Sequence, residues 1–538
     1  MKKLYIIFVL LVHTGFYAQQ EDAWIYFTDK PNAAFYLDNP LEMLTQKALD
    51  RRTAQGIALD IADVPVHQPY INGISATSGI AVMAKSKWLN CVHVRGSEDA
   101  INSLSAFSFV YRVDFANKLL NTSGRPSGVQ QPGMVNKTME TAADFSYGNA
   151  ASQVQMLNGH LLHQQGFTGS GMTIAVMDNG FPGVNTTQPF QRLYDNSLIL
   201  GGYNFVEGST DVYTGGIHGT LVLSTMGGYT EGQLVGTAPD AFYYLFVTED
   251  TAGENPVEES YWVEAAEMAD RLGADIINTS LGYFLYDNPN YSYTYEDMNG
   301  ETAFITRGAN MAFTRGLLCV TSAGNSAATA NPNIGVPADA FNTLTVGAVT
   351  SEEQYASFSS IGPTADGRVK PDVMAQGFAS AIANPQGEIT SANGTSFSSP
   401  ITAGLAACLW QALPEFTNGE LLQLIKQSAD RFGSPGPQYG YGIPDFAMAL
   451  STGLGNKDSI LDKFVIFPNP SATILNIYFT EAVHKVKVTV HNSVGQCVLL
   501  VDVYKSQPTF DISKLASGIY SYTIEGGQET QSGKLIKQ

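Results

Sequence analysis

The stretch Gly394-Thr395-Ser396-Phe397-Ser398-Ser399-Pro400 places a hydroxyl at the mouth of a helix. Residues 401–410 are apolar almost all round, and a helix of that kind is buried on every side. Pro400 has no N–H to give and belongs in or near the first turn. Ser396 then stands at the helix start, where free N–H groups and the dipole favour developing negative charge. Gly394 lets backbone approach closely, and Thr395 is a candidate cap. The same residues would also suit an ordinary capped core helix, so the decision falls to what lies upstream.

A serine hydroxyl is a weak nucleophile at neutral pH and needs a base. Of the eight histidines, His160, His163 and His218 lie in the middle of the chain. His160 and His163 sit on an amphipathic helical stretch, 153–165, and read as surface residues. His218 differs: it lies in Gly215-Gly-Ile-His-Gly-Thr220, flanked by glycine, and opens a helix. Asp178 ends the apolar run 173–177 and is followed by Asn179-Gly180, which suits either a positioned carboxylate or a turn aspartate. Asn325 closes Thr321-Ser-Ala-Gly-Asn, where an amide N–H can donate to an oxyanion; one such donor contributes about 3–4 kcal/mol to a transition state. Asn278-Thr-Ser-Leu-Gly282 is another strand end, whose free edge can pair with an extended peptide.

The chain order Asp, His, Ser-Leu-Gly, Asn, Ser is that of the subtilisin lineage. On these motifs residues 145–450 resemble a subtilisin-like serine peptidase. Gly-Thr-Ser-x-Ser-x-Pro at 394–400 and His-Gly-Thr at 218–220 match the family fully, and Val235-Gly-Thr-Ala-Pro239 is similar to the segment before a core strand. The aspartate motif departs, with Asn179 where the family has Ser or Thr. The resemblance implies Ser396 as nucleophile, His218 as general base and then acid, and Asp178 as the carboxylate that orients the imidazole. It implies Asn325 and the Ser396 N–H as oxyanion donors, and Ser280, Leu281, Gly282, Ser322, Ala323 and Gly324 as substrate-binding residues. It implies no required cofactor and no catalytic metal. Subtilases often hold structural Ca2+ in loops, and Asp287, Glu296, Asp297 and Glu301 offer oxygen donors, although a solvated acidic loop is the stronger reading of the same residues. The segment 283–301 reads as an insertion that could shape the cleft. A catalytically inactive peptide-binding homologue and an esterase are the competing readings.

These groups need a frame. Apolar runs at 173–177, 242–247, 275–278, 317–321 and 344–346 alternate with helical stretches at 220–226, 258–272 and 302–315. That pattern predicts an α/β domain, 145–452, with a parallel sheet covered by helices on both faces and reactive residues past the strands' carboxyl ends. Before it, strands at 24–28, 79–83 and 109–113 with helices at 41–55 and 97–105 predict a small α+β unit. A Gly/Pro/Ser/Asn-rich linker follows over 121–150. After 453–456, about seven short alternating strands and no helix predict a β-sandwich over 460–538.

With 538 residues the chain is too long for one ordinary domain. Its 49 acids against 29 bases, a net charge of -20, argue against nucleic acid as a partner. Lys2-Lys3 and the apolar run 4–12 before Ala18 read as a secretory signal peptide, 1–18. No later apolar run is long enough to span a membrane. Cys91, Cys319, Cys408 and Cys497 show no framework spacing and read mostly as buried free thiols, with a Cys319–Cys408 bridge as the alternative. The family resemblance implies an inhibitory propeptide over 19–140, cut between 124 and 145, with peptides or proteins as substrates. Phe467-Pro-Asn-Pro470, Val494-Gly-Gln496, Leu515-Ala-Ser-Gly-Ile-Tyr520 and Lys534-Leu-Ile-Lys537 resemble the type A sorting domain of the type IX secretion system of Bacteroidota. That implies the secretion machinery as a partner and a destination at or beyond the outer membrane.

Overall fold

The computed structural model describes residues 19–121, 145–455 and, with short gaps, 464–537. The signal-peptide reading over 1–18, the cleavage window and two pieces of the sorting motif, 468–470 and 493–494, lie outside the described residues.

The first unit contains β1 (Gln20–Phe27), α1 (Gln46–Ala54), α2 (Gln68–Ser75), β2 (Ile80–Ser86), β3 (Cys91–Ser97) and β4 (Val110–Phe115). Its sheet runs β2-β3-β1-β4, antiparallel throughout. The helix expected over 41–55 is broken, because Thr45 is extended and its side chain accepts the Ala48 N–H, starting α1 afresh. Strand β3 and helix α2 were not expected from the sequence.

The central unit is built on β5 (Thr173–Asp178), β6 (Ile199–Asn204), α3 (His218–Gly227), β7 (Phe242–Val247), α4 (Val257–Leu272), β8 (Ile276–Thr279), α5 (Phe304–Thr314), β9 (Leu318–Ser322), β10 (Leu344–Val349), β11 (Val373–Gln376) and α6 (Thr395–Ala412). The sheet order is β11-β10-β9-β8-β5-β7-β6, and every neighbouring pair is parallel. Side chains alternate across it: Ile174 and Val176 face one core with α3 and α6, and Ala175 and Met177 face another with α4 and α5. Burial on both faces is why these strands read as continuous apolar runs. Helix α6 crosses the first face with every residue from Thr395 to Trp410 buried.

The last unit has seven strands and no helix among the described residues. Leu475 and Ile477 of its three-stranded sheet share a core with Val486, Val488, Ile524 and Leu535 of its four-stranded sheet, as a sandwich requires. Among the described residues all four cysteines are free, three buried and Cys497 exposed. No described helix is long and apolar enough to cross a membrane.

Candidate active site

Parallel strands deliver their carboxyl ends to one edge of the sheet. Asp178 is the last residue of β5, Ser280 follows β8, Ser322 ends β9, and Asn325 lies three residues further. Gly394 N–H donates to the carbonyl of Gly377, just past β11, at 2.8 Å, which brings the start of α6 to the same edge.

His218 opens α3, and its Nδ1 lies 2.8 Å and 3.0 Å from the two carboxylate oxygens of Asp178. Asp178 is buried, whereas the His218 side chain is 33% exposed. Burial alone would lower the His218 pKa; the adjacent Asp178 carboxylate outweighs it and holds the pKa above the ordinary value. Asn179 ties the two elements together. Its N–H donates to Asp178 Oδ1 at 2.8 Å, and its Oδ1 accepts the His218 N–H at 3.1 Å, satisfying a free donor at the start of α3. A Cβ on Gly216 would stand 2.4 Å from the Asn179 amide carbon, so the glycine makes room for this asparagine.

Ser396 is the second residue of α6, and Pro400 lies one turn inside rather than in the first turn. A proline there cannot donate to the carbonyl four residues back, which is that of Ser396. Ser280 Oγ supplies the missing donor to that carbonyl at 2.9 Å, and Ser396 Oγ donates back to the Ser280 carbonyl at 3.2 Å. Asn278 Nδ2 donates to Ser280 Oγ at 3.0 Å, and Ser399 Oγ donates to Asn278 Oδ1 at 3.0 Å, which extends the support. Among the described residues no hydrogen bond joins Ser396 Oγ to His218; the imidazole instead stands 6.0 Å, centroid to centroid, from the ring of Phe397.

Thr395 is not the cap the sequence suggested. Its N–H and Oγ1 both donate to Asn325 Oδ1, at 2.9 Å and 3.0 Å, and its Oγ1 accepts the Gly324 N–H at 3.1 Å. A backbone N–H can only donate, so the Asn325 oxygen is fixed on that side and its Nδ2 is left for the cleft. That cleft is about 170 Å³ and is lined by Ser280, Leu281 and Gly282 on one side and Ser322, Ala323, Gly324 and Asn325 on the other. Gly335, Val336 and Ala338 add to its lining together with Thr395 and Ser396. No titratable side chain but Tyr283 lines it. The 335–338 wall went unread because its residues carry no reactive group.

The reading of the two histidines as surface residues is corrected. His163 is not a surface residue: it is buried, Tyr147 Oη lies 2.7 Å from its Nδ1, and its Nε2 lies 3.0 Å from the Thr237 carbonyl. Burial pushes its pKa down to about 4. His160 is half-buried, and the helix expected over 153–165 is two short ones separated by Asn158, which is left-handed at φ 54. The carboxylates weighed for Ca2+ are not brought together. Asp297 closes a capping box with Thr294 and pairs with Lys118 at 2.8 Å, while Asp287 accepts the Glu254 N–H at 3.2 Å. Among the described residues no three His, Cys, Asp or Glu side chains converge on a metal-sized point. The 283–301 segment packs its tyrosines on α4: Tyr286 and Tyr293 both donate to Glu259 at 2.7 Å.

The chain is similar to known proteins over most of its length. The model of the subtilase family matches residues 169–443, that of the Bacteroidota peptidase S8 propeptide domain residues 22–131, and that of a secretion-system C-terminal sorting domain residues 465–538. Subtilisin NAT of Bacillus subtilis subsp. natto is 30% identical over 307 residues, 56% of this chain and 71% of its own length. Subtilisin Savinase of Lederbergia lenta is 32% identical over 282 residues, 52% of this chain and 91% of its own. The solved MycP3 protease of the type VII (ESX-3) secretion system is 21% identical, covers 58% of this chain and 91% of that one, and aligns with a TM-score of 0.45.

Proposed function

The chain belongs to the subtilase family, a serine endopeptidase with a propeptide and a type IX sorting domain, and from that membership we propose that it cuts peptide bonds through Asp178, His218 and Ser396. The sorting domain marks it for export across the outer membrane, to the cell surface or beyond. The layout that fits is a signal peptide at 1–18, a propeptide and linker at 19–140, the peptidase at 145–452 and the sorting domain at 460–538.

In this reading the substrate lies extended between 280–282 and 322–325, and its side chain before the cut enters the cleft. Rotation about the Ser396 Cα–Cβ bond turns Oγ from the Ser280 carbonyl to His218 Nε2. The imidazole takes the hydroxyl proton as oxygen attacks the carbonyl carbon, and Asp178 stabilises the imidazolium. Asn325 Nδ2 and the Ser396 N–H, in the first turn of α6, hold the oxyanion. His218 then protonates the departing amine, leaving an acyl ester on Ser396 that water hydrolyses by the same route in reverse. Every group in this sequence is protein or water, so no cofactor is required; a structural Ca2+ would act on stability alone.

The observation that supports it most is the contact of His218 Nδ1 with both Asp178 oxygens, which sets the tautomer that leaves Nε2 as acceptor. Casein digestion tests it: the processed enzyme yields internal fragments, and His218→Ala and Ser396→Ala yield none at equal concentration. Fragments from Ser396→Ala would remove the assignment, and hydrolysis of a simple ester without casein cleavage would replace it with an esterase.

A further inference from the structure

The propeptide touches the peptidase through two elements, whose contacts meet on α4, where Lys87 of the sheet side lies 3.5 Å from Asp270. Its sheet lies along α4 and α5: Trp24 stacks on Phe304 at 4.8 Å and donates to Ser260 at 2.8 Å, and Ser86 Oγ and the N–H groups of Lys87 and Trp88 donate to Glu267 at 2.6–2.9 Å. The second contact is made by an insertion between β1 and α2. This arm has its own small core of Met43, Leu44, Ala48 and Val64, apart from the core under the sheet.

The arm reaches the edge of the central sheet opposite the catalytic residues. Thr45 N–H donates to the Arg271 carbonyl at 2.9 Å, and Lys47 reaches Thr173, the first residue of β5, and Asp275, just before β8. Arg51 bonds the carbonyls of Ala274 and Arg315, ahead of β8 and β9. Gln55 donates to the Gly316 carbonyl at 2.9 Å and accepts the Asn418 N–H at 3.1 Å. Arg51 and Arg52, 4% and 2% exposed, both pair with the fully buried Asp270 of α4, at 2.5 Å and 2.9 Å. Asp63 and Asp60 of the arm pair with Arg52 and Arg315. Burial would raise the Asp270 carboxyl, but Arg52, Lys87 and Arg51 hold it well below the usual carboxylate range.

We propose that residues 40–64 form a second docking element, which grips the amino ends of β5, β8 and β9 and keeps the propeptide bound after the linker is cut. Contacts at the amino ends cannot obstruct a cleft at the carboxyl ends, so the arm contributes retention, not blockage. Two linked epitopes also strengthen one another, because either one, while seated, holds the other at high effective concentration. The kind of partner these amino ends fit is therefore a short helix carrying two adjacent arginines and a glutamine four residues on.

A full-length Ser396→Ala chain with a C-terminal tag, and with the recognition sequence of an unrelated site-specific protease placed between 124 and 145, tests this without depending on the chain's own catalysis. After cutting, the 19–121 fragment is expected to stay with the immobilised peptidase. Gln55→Ala, which removes two hydrogen bonds, is expected to release it about tenfold faster, and Arg51→Ala with Arg52→Ala about a hundredfold faster or more. Tyr291→Phe, which removes the 2.9 Å bond to Glu21 at the other epitope, is expected to change release less than Gln55→Ala. Thermal midpoints of the uncut chains establish that each variant is folded; if the double-arginine chain does not fold, Gln55→Ala decides. Immediate loss of the fragment from the unsubstituted chain, or release from Gln55→Ala at the unsubstituted rate, overturns the proposal.

Discussion

Replacing Ser280 by alanine removes a hydroxyl that holds two buried groups at once. The Ser396 carbonyl loses the donor that Pro400 cannot supply, and Asn278 Nδ2 loses its acceptor. Each orphaned buried group costs about 1–3 kcal/mol, so Ser280→Ala is expected to destabilise the peptidase by about 2–6 kcal/mol. At about 2–3 °C per kcal/mol for a unit of this size, the thermal midpoint falls by roughly 4–18 °C. The measurement belongs in a Ser396→Ala background, which keeps the backbone carbonyl and removes self-digestion. Pro400→Ala restores an N–H facing that carbonyl. It is expected to be near neutral alone and to recover about half the loss in the double variant, a coupling of about 1–3 kcal/mol. The other half, the Asn278 amide, stays lost. A midpoint within about 1 °C of the parent for Ser280→Ala, or no recovery with Pro400→Ala, would refute the argument that a proline one turn into α6 recruits Ser280.

Four further outcomes follow from the same geometry. His218 must be neutral to accept a proton and its pKa is raised, so kcat/KM is expected to rise with pH on a limb centred above about 6.5; Asp178→Asn, with burial left unopposed, moves that limb down and lowers kcat by about 10⁴. Asn325→Ala is expected to lower kcat by about 10²–10³ with little change in KM, since its donor acts on the oxyanion. Burial raises the Glu267 carboxyl from 4.5 to about 7 in the docked state, against the pull of Lys87 and its donors, so docking takes up a proton. Propeptide affinity should therefore be full below about pH 4.5 and weaken as pH rises through 7; dissociation rates at pH 5.5 and 8 check this, and Glu267→Gln should flatten the difference. Chelation by EDTA is expected to leave casein hydrolysis unchanged at 25 °C, and loss of activity restored by Ca2+ would show a metal the catalytic chemistry does not call for.

The strands that carry chemistry were legible because burial on both faces makes them continuous apolar runs, as at 173–177 and 317–321. The ones that were missed have other reasons. Strand β6 reads Ile-Leu-Gly-Gly-Tyr-Asn, which suggests a loop, yet a Cβ on Gly202 would lie 2.1 Å from the Leu245 carbonyl, so glycine is what permits the pairing with β7. Strand β3 lies between β2 and β1, and its His93 and Arg95 are placed by bonds to Asp22, so polar residues interrupt its apolar run. At the site, the types and order of Asp178, His218, Asn325 and Ser396 could be read directly. The roles of Thr395, Ser280 and Asn179 could not, because each supports a residue 39 to 116 positions away through a hydrogen bond that no local pattern records. Asn179 did leave a trace, as a departure from the family's usual residue, and its bond to the His218 N–H gives that departure a physical use.

The central claim is that the Ser396 hydroxyl is activated by His218. Mass spectrometry of the processed protein after treatment with an aryl organophosphonate tests it most directly. A single adduct on the peptide carrying Ser396, absent from Ser396→Ala and formed at least about a hundredfold more slowly in His218→Ala, is the expected result. An adduct on another residue, or labelling of Ser396 at the same rate without the imidazole, would contradict it.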